Sequence, residues 1–282
     1  MGTGDDCSLC PQISFDRPPF VSKTEAMPAL KIIQIPCLTD NYCVLLHSPE
    51  SGETAAIDAP QAEPVVDVLD SNGWRLNEIL VTHHHGDHTA GCLPLKARYG
   101  CRVTGPDFES ERIPGLSRTV NEATGFQFAG HEVRVLETPG HTLGHVSYYL
   151  PQAATVFTGD TLFALGCGRI FEGDAQGMYA SLQKIAALPD KTAIYCGHEY
   201  TLANARFALS VEPENAALTQ RVKEIEAKRA RGEPTLPTTV GLEKATNPFL
   251  RTHSSAIRAR LGLDGASDWQ VFAQLRALKN KA

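Results

Sequence analysis

The chain has 282 residues, 42% of them hydrophobic, enough to bury one large core or two unequal ones. Its formal net charge of −6, with no basic stripe, argues against a nucleic-acid partner. No apolar run is long enough to span a bilayer, and the first thirty residues lack the marks of a secretory signal or an Arg-rich transit peptide.

Residues 1–29 read as an N-terminal extension, either disordered or the product of a start upstream of Met27. Cys7 and Cys10 form a C-x-x-C there, but no second pair accompanies it and the tail holds Pro and Ser, so it reads as chance. The eight cysteines show no disulfide-like framework, which suits a reducing compartment and a cytoplasmic location. Strands are predicted at 32–35, 42–46 and 55–57, then a helix over 65–72 stopped by Gly73. A strand at 79–81 runs into Thr82-His83-His84-His85-Gly86-Asp87-His88. Three imidazoles before a Gly, then a carboxylate and another imidazole, are costly to crowd together unless a cation sits among them. The bland alternative is a solvated His-rich loop.

His83 and His85 are two residues apart, so an extended backbone projects both to one side, and Gly86 lets the chain turn Asp87 and His88 towards the same cavity. The same grammar returns three times: His141 after the strand at 133–136 and a Thr-Pro-Gly turn, Asp160 after 156–158 and Gly159, and His198 after 194–196 and Gly197. Loops beyond strand ends are where a rigid scaffold assembles sites. Further helices are predicted at 178–188, with Leu182, Ile185 and Leu188 at helical spacing, at 216–231, and at 267–281. The last opens on a capping box from Ser267 to Gln270 and has an apolar stripe of Trp269, Phe272, Leu275 and Leu278. Arg276 and Lys279 share one flank of it.

Residues 82–88 match the T-H-x-H-x-D-H signature, and His141, Asp160 and His198 the later metal motifs, so the chain resembles the metallo-β-lactamase superfamily. Residues 163–173 (FALGCGRIFEG), 195–201 (YCGHEYT), 211–215 (VEPEN) and 247–251 (NPFLR) narrow the resemblance to the hydroxyacylglutathione hydrolases, the glyoxalase II family. It covers about Leu30 to the C-terminus. The resemblance implies an α/β (α+β) fold, a four-layer αββα sandwich over 30–209 followed by a helical substrate-binding domain over 210–282. It also implies a monomer holding two divalent metal ions, Zn2+ foremost with Fe or Mn as alternatives.

By the same resemblance, His83, His85 and His141 hold one ion, Asp87, His88 and His198 the other, and Asp160 bridges them. Water between two such ions would ionise near neutral pH and attack a thioester carbonyl, with Asp87 orienting it and Asp160 joining the ions. Arg169, Phe171, Tyr200, Arg276 and Lys279 fall at or near positions that contact the glutathione moiety. Arg169 stands where the family often has Lys and keeps the charge; Phe171 stands where it often has Tyr and loses a hydroxyl. The implied reaction is hydrolysis of S-(2-hydroxyacyl)glutathione, chiefly S-D-lactoylglutathione, to glutathione and a 2-hydroxy acid, the second step of methylglyoxal removal. A persulfide dioxygenase or another hydrolase of the superfamily is the alternative, and a non-catalytic binding module the third reading. His84 is expected to alternate away from its neighbours, either backing the ligands or facing solvent, and His145 to back the ligands.

Overall fold

The computed structural model describes residues 29–282, so the extension with Cys7 and Cys10 lies outside the described residues. One six-stranded sheet runs β1 (Lys31–Cys37), β2 (Asn41–His47), β3 (Thr54–Ile57), β4 (Glu78–Leu80), β5 (Arg102–Pro106) and β6 (Arg118–Val120), side by side in that order. Pairing is antiparallel from β1 to β3 and parallel from β3 to β6. The second sheet comprises β7 (Phe126–Phe128), β8 (His131–Glu137), β9 (Val146–Leu150), β10 (Thr155–Gly159), β13 (Ala193–Cys196) and β14 (Thr238–Thr239). Its order is β14-β13-β10-β9-β8-β7, with only β10 and β13 parallel. Between β10 and β13 the chain folds a short hairpin, β11 (Leu162–Phe163) and β12 (Gly166–Cys167).

All seven residues of β2 are buried, because its alternate faces meet different cores. Val44 and Leu46 enter the core between the sheets, with Val135, Tyr148, Leu150 and Phe157 from the second sheet. Cys43 and Leu45 face outward onto helices α1 (Glu63–Asn72) and α3 (Cys92–Tyr99), through Val65, Leu69 and Leu95. A short helix, α2 (Gly86–Thr89), precedes α3. On the other side, Tyr149, Val156 and Ile194 turn away from the inter-sheet core onto α4 (Ala175–Ala186) and the C-terminal helices. The result is the four-layer αββα sandwich of the α/β class, with helices at its C-terminal end.

Those helices are α5 (Thr201–Val211), α6 (Ala216–Ala230), α7 (Val240–Thr246), α8 (Ser255–Leu261) and α9 (Asp268–Lys279). The division expected between Leu209 and Ser210 falls inside α5. Phe207, Phe249, Ile257 and Phe272 join Met178, Leu182 and Ile185 of α4 in one core, so the helical end is packed onto the second sheet's outer face. Helix α4 begins earlier than periodicity alone suggests, because Asp174 Oδ1 accepts the Gly177 N–H at 2.7 Å and caps it. The expected stripe of α9 needs correction: Trp269 is 36% exposed and Val271, Phe272 and Leu275 are buried. At 100° per residue Trp269 lies on the flank of that stripe, about 60° beyond Phe272, while Val271 joins Phe272, Leu275 and Leu278 on the packed face.

One ion pair ties several of these helices together. Glu212, just past α5, accepts Arg251 Nε and Nη2 at 2.7 and 2.8 Å, Ser254 Oγ at 2.6 Å and Asn215 Nδ2 at 3.0 Å. Asn215 in turn caps α6. Burial works against the Glu212 carboxylate, but these partners outweigh it and hold its pKa below the ordinary glutamate value. A lowered folded-state pKa gives stability that is present above the unfolded value and lost as pH falls through the folded one. Glu212→Gln is therefore expected to cost roughly 1.5–3 kcal/mol at neutral pH. It should also flatten the acid limb of stability against pH, both read by denaturant unfolding; equal loss at every pH would contradict the assignment.

Candidate metal centre and substrate cavity

The strand ends deliver the predicted ligands to one edge of the sandwich. β4 of the first sheet leads into His83–His88, while β8, β10 and β13 of the second lead into His141, Asp160 and His198. The two sheets are laced at this edge: Tyr148 Oη donates to Val81 O at 2.7 Å, and the Val146 N–H to Thr82 O at 2.9 Å. Gly197 admits the carboxylate, since a Cβ there would lie 2.6 Å from Asp160 Oδ1 and from His88 Cε1.

Three ring nitrogens form the first cluster. His83 Nε2 and His141 Nε2 each lie 3.0 Å from His85 Nδ1. In the second, His88 Nε2 is 3.3 Å from His198 Nε2, with Asp87 Oδ2 at 3.5 Å from the latter and 3.8 Å from the former. Asp160 stands between them: Oδ2 lies 3.4 Å from both His141 Nε2 and His198 Nε2, and Oδ1 3.4 Å from His88 Nε2. All seven predicted ligands are thus brought together.

Each of four rings is turned by a partner on its far nitrogen. His88 Nδ1 donates to Asp58 Oδ2 and His198 Nδ1 to Asp40 Oδ1, both at 2.8 Å, and His141 Nδ1 to Arg169 O at 2.8 Å. His83 Nδ1 lies 3.0 Å from Thr82 Oγ1, whose hydroxyl proton goes to Asp58 Oδ2 at 2.9 Å, so this ring also donates outward. The inward Nε2 atoms of His83 and His141 are then bare lone pairs, and a single proton on His85 Nδ1 can satisfy only one of them. Asp160 Oδ1 is buried without a hydrogen-bond partner. Buried unpaired acceptors at this density are what cations relieve, and imidazole with carboxylate suits zinc, iron or manganese. The residues fit a pair of divalent ions.

Charge separates the two clusters further. Burial, followed by the imidazoles of His88 and His145, pushes His83 well below the ordinary histidine pKa; burial also lowers His85. For His88 burial works in the same downward direction, but Asp160 and Asp58 outweigh it and hold the ring well above that value. His198 is raised by its hydrogen bond to Asp160 against the cost of burial, and Asp160 is held well below the carboxylate range by His88 and His198 despite burial.

A cavity of about 540 Å³ opens above this floor, lined by His85, Asp87, His141, Asp160 and His198 on one side. Arg169, Phe171, Tyr200, Arg276 and Lys279, the residues expected near the thiol ligand, all line it too. Arg169 and Phe171 are exposed, and the Phe171 ring stands 5.2 Å from His141 and 5.8 Å from His85. Tyr200 stacks on His198 at 4.5 Å. Arg276 is more buried than a helix-flank cation would be: its Nη1 donates to Cys167 O at 2.7 Å, and its Nε has no partner. Lys279 Nζ donates to Ala203 O at 3.1 Å; burial, then Arg276 and Arg169, lower its pKa.

The hairpin bearing Phe163 and Cys167 is held from the C-terminal side. Asn247 Nδ2 donates to Phe163 O and Gly166 O, Asn204 Nδ2 to Ala164 O, and Glu243 Oε2 accepts the Leu165 N–H at 2.8 Å. Sequence reasoning missed Asn204, Glu243 and the role of Asn247, and also Asp40, Asn41 and Asp58. Asp58 carried a signal, because it follows β3 much as His and Asp follow the other strands. His84 points neither to the ligands nor to open solvent but onto Glu109, with Nδ1 at 2.8 Å; His145 Nε2 accepts the Asp160 N–H at 3.0 Å.

The chain is similar to proteins already known. Residues 51–198 match the metallo-beta-lactamase superfamily model, and residues 199–282 the model for the hydroxyacylglutathione hydrolase C-terminus. The chain is 57% identical over 254 residues to a hydroxyacylglutathione hydrolase of Rhizobium meliloti, covering 90% of this chain and 99% of the relative. A hydroxyacylglutathione hydrolase of Brucella ovis is 55% identical, covering 89% and 98%. Among solved structures, ETHE1 from Myxococcus xanthus matches with a TM-score of 0.60 at 24% identity, covering 89% of this chain and 98% of that one. TTHA1623 in a di-iron-bound form matches with a TM-score of 0.55 at 26% identity, covering 78% and 100%.

If the partner on the far nitrogen sets the ligand lone pair, Asp58→Asn should weaken metal binding by about 10–100-fold while leaving the fold intact. Competition with a chelating dye measures this, and an unchanged affinity would contradict the assigned orientation.

Proposed function

We propose how this chain, a member of the hydroxyacylglutathione hydrolase family of the metallo-β-lactamase superfamily, divides its reaction between the two walls of one cavity. The chain is a thioester hydrolase that converts S-(2-hydroxyacyl)glutathione and water to glutathione and a 2-hydroxy carboxylate. The observation that carries the division is that His85, Asp87, His141, Asp160 and His198 line the same cavity as the cationic side chains of Arg169, Arg276 and Lys279.

In this reading His83, His85 and His141 hold one divalent ion, Asp87, His88 and His198 the other, and Asp160 serves both. Zinc is the ion we assign first, with iron or manganese as alternatives, since imidazole with carboxylate suits all three. The chemistry such a pair supplies when bound is Lewis acidity, which eases the ionisation of water and opposes build-up of charge on a carbonyl oxygen. The protein does the rest. Asp87, 43% exposed at its side chain and fixed by Asn41 Nδ2 at 3.1 Å, faces the cavity and is placed to accept a proton from the attacking water. Phe171 shields the acyl end beside His141 and His85 and offers no hydroxyl.

Residues 199–282 supply most of the opposite wall. Arg169, Arg276 and Lys279 provide positive charge for the glutathione carboxylates, and Tyr200 a hydroxyl. Binding there holds the thioester over the ligand floor, so that part of the barrier is met by positioning. The leaving thiolate derives from a thiol of pKa about 8.5 and departs without needing a proton donor. The six described cysteines are free and buried, which suits the reducing cytoplasm to which we assign the enzyme.

Hydrolysis of S-D-lactoylglutathione tests the whole reading. Wild type should turn it over, chelator should abolish the rate, and Asp160→Asn should lose most of kcat. Arg169→Ala should instead raise KM by about tenfold, the worth of one charge-assisted hydrogen bond, with kcat little changed. A chelator-resistant rate would remove the metal from the mechanism, and an Arg169→Ala effect confined to kcat would remove the anion wall.

A further inference from the structure

Two loops carry the tri-histidine cluster. His83 and His85 lie on one, and His141 on the other, so their spacing depends on whatever fixes one loop against its neighbour. The side chain that does so comes from neither. Glu109 sits in a 3-10 turn (Asp107–Arg112) after β5 and is 1% exposed. Its Oε2 accepts the His84 backbone N–H at 2.7 Å and His84 Nδ1 at 2.8 Å. Its Oε1 accepts the Gly144 N–H at 3.0 Å. His84 lies between two of the clustered histidines, and Gly144 lies three residues beyond the third.

We propose that Glu109 is a positioning residue whose buried carboxylate clamps the His83–His85 loop to the His141 loop and so sets the spacing of the tri-histidine cluster. The chemistry requires a carboxylate. Only an ionised carboxyl group presents acceptors at both ends and no donor, so it can receive an N–H from each loop at once. Glutamine, similar in size, turns an NH2 toward one loop or the other and sets donor against donor in a buried site. The clamp also explains Gly144: a Cβ there would fall 2.5 Å from Glu109 Cγ and 2.9 Å from Phe108 Cβ, so only glycine lets the loop reach the carboxylate. A second carboxylate holds the adjacent N–H, since Glu172 Oε2 accepts from Leu143 at 3.0 Å while its Oε1 binds Arg112 Nη1 at 2.8 Å. His84, Glu109 and Glu172 approach within the range of a metal triad. The oxygens of both carboxylates, however, are occupied by N–H groups, so a clamp accounts for the cluster and a third ion is not needed.

The inference rests on the two-ion reading of the centre, and the test separates the two. The full chain is stripped with chelator and reloaded with Zn2+ or Co2+, and metal affinity, the visible absorption of the Co2+ form and the thermal midpoint are measured on wild type, Glu109→Gln and Gly144→Ala. In both variants one of the two metal equivalents should bind about 10–100-fold more weakly and the Co2+ absorption should change shape, while the other equivalent stays as tight as in wild type. Gly144→Ala keeps Glu109 and its charge, and carries the test if Glu109→Gln does not fold. Wild-type affinity and absorption in a folded variant of either kind overturn the clamp, and so does a third bound equivalent that Glu109→Gln loses. A wild-type chain that binds no metal overturns the two-ion reading instead.

Discussion

The fold is organised around a local excess of acceptors. Five imidazoles and two carboxylates of ligand type are packed within a few ångströms at the edge of two sheets, His83 and His88 wholly removed from water. Such a cluster does not hold itself together, because its members repel or at best share a few protons. It holds because His88, His198, His141 and His83 are tethered outward, to Asp58, Asp40, Arg169 O and Thr82 in turn. Asp58 serves two of these tethers at once, taking His88 Nδ1 and the Thr82 hydroxyl on one oxygen and the Thr82 N–H on the other. The sandwich around it is the rigid frame on which those tethers are mounted.

The seven clustered residues were legible because each obeys a local rule: a short apolar run, a turn and a His or Asp. So were the helices with clear stops or caps, and the strands with their apolar runs. What was not legible depends on pairs distant in the chain. Asp40 meets His198 across 158 positions, and Glu109 meets Gly144 across 35. Nothing near Asp40 or Glu109 in the sequence marks either one out. The face of α9 was misjudged at Trp269 for a related reason: amphipathic spacing tolerates either flank, and contact with Phe249 and α4 decides which is buried. Arg276 was expected near the glutathione moiety from its place on a helix flank, and its bond from Nη1 to the hairpin backbone was not legible.

That hairpin joins the two halves of the cavity. Asn204, Glu243, Asn247 and Arg276, all from the last part of the chain, take up the backbone polar groups of Phe163, Ala164, Leu165, Gly166 and Cys167. Glu243 is itself fully buried and paired with Arg221. Two residues past the hairpin, the carbonyl of Arg169 receives His141 Nδ1. Hydrogen bonds to the hairpin, and the two residues of chain beyond it, therefore connect the C-terminal helices to one imidazole of the cavity floor.

Module swapping is constrained accordingly. The terminal helices of a related protein could not be exchanged for these simply because they bring a suitable binding surface. The donor would also have to present two amides, an acid and a guanidinium at matching heights, or the loop ahead of Arg169 would lose its bracing and the imidazole it steadies would drift. Recognition and reactivity are here inherited together, as a single mechanical part.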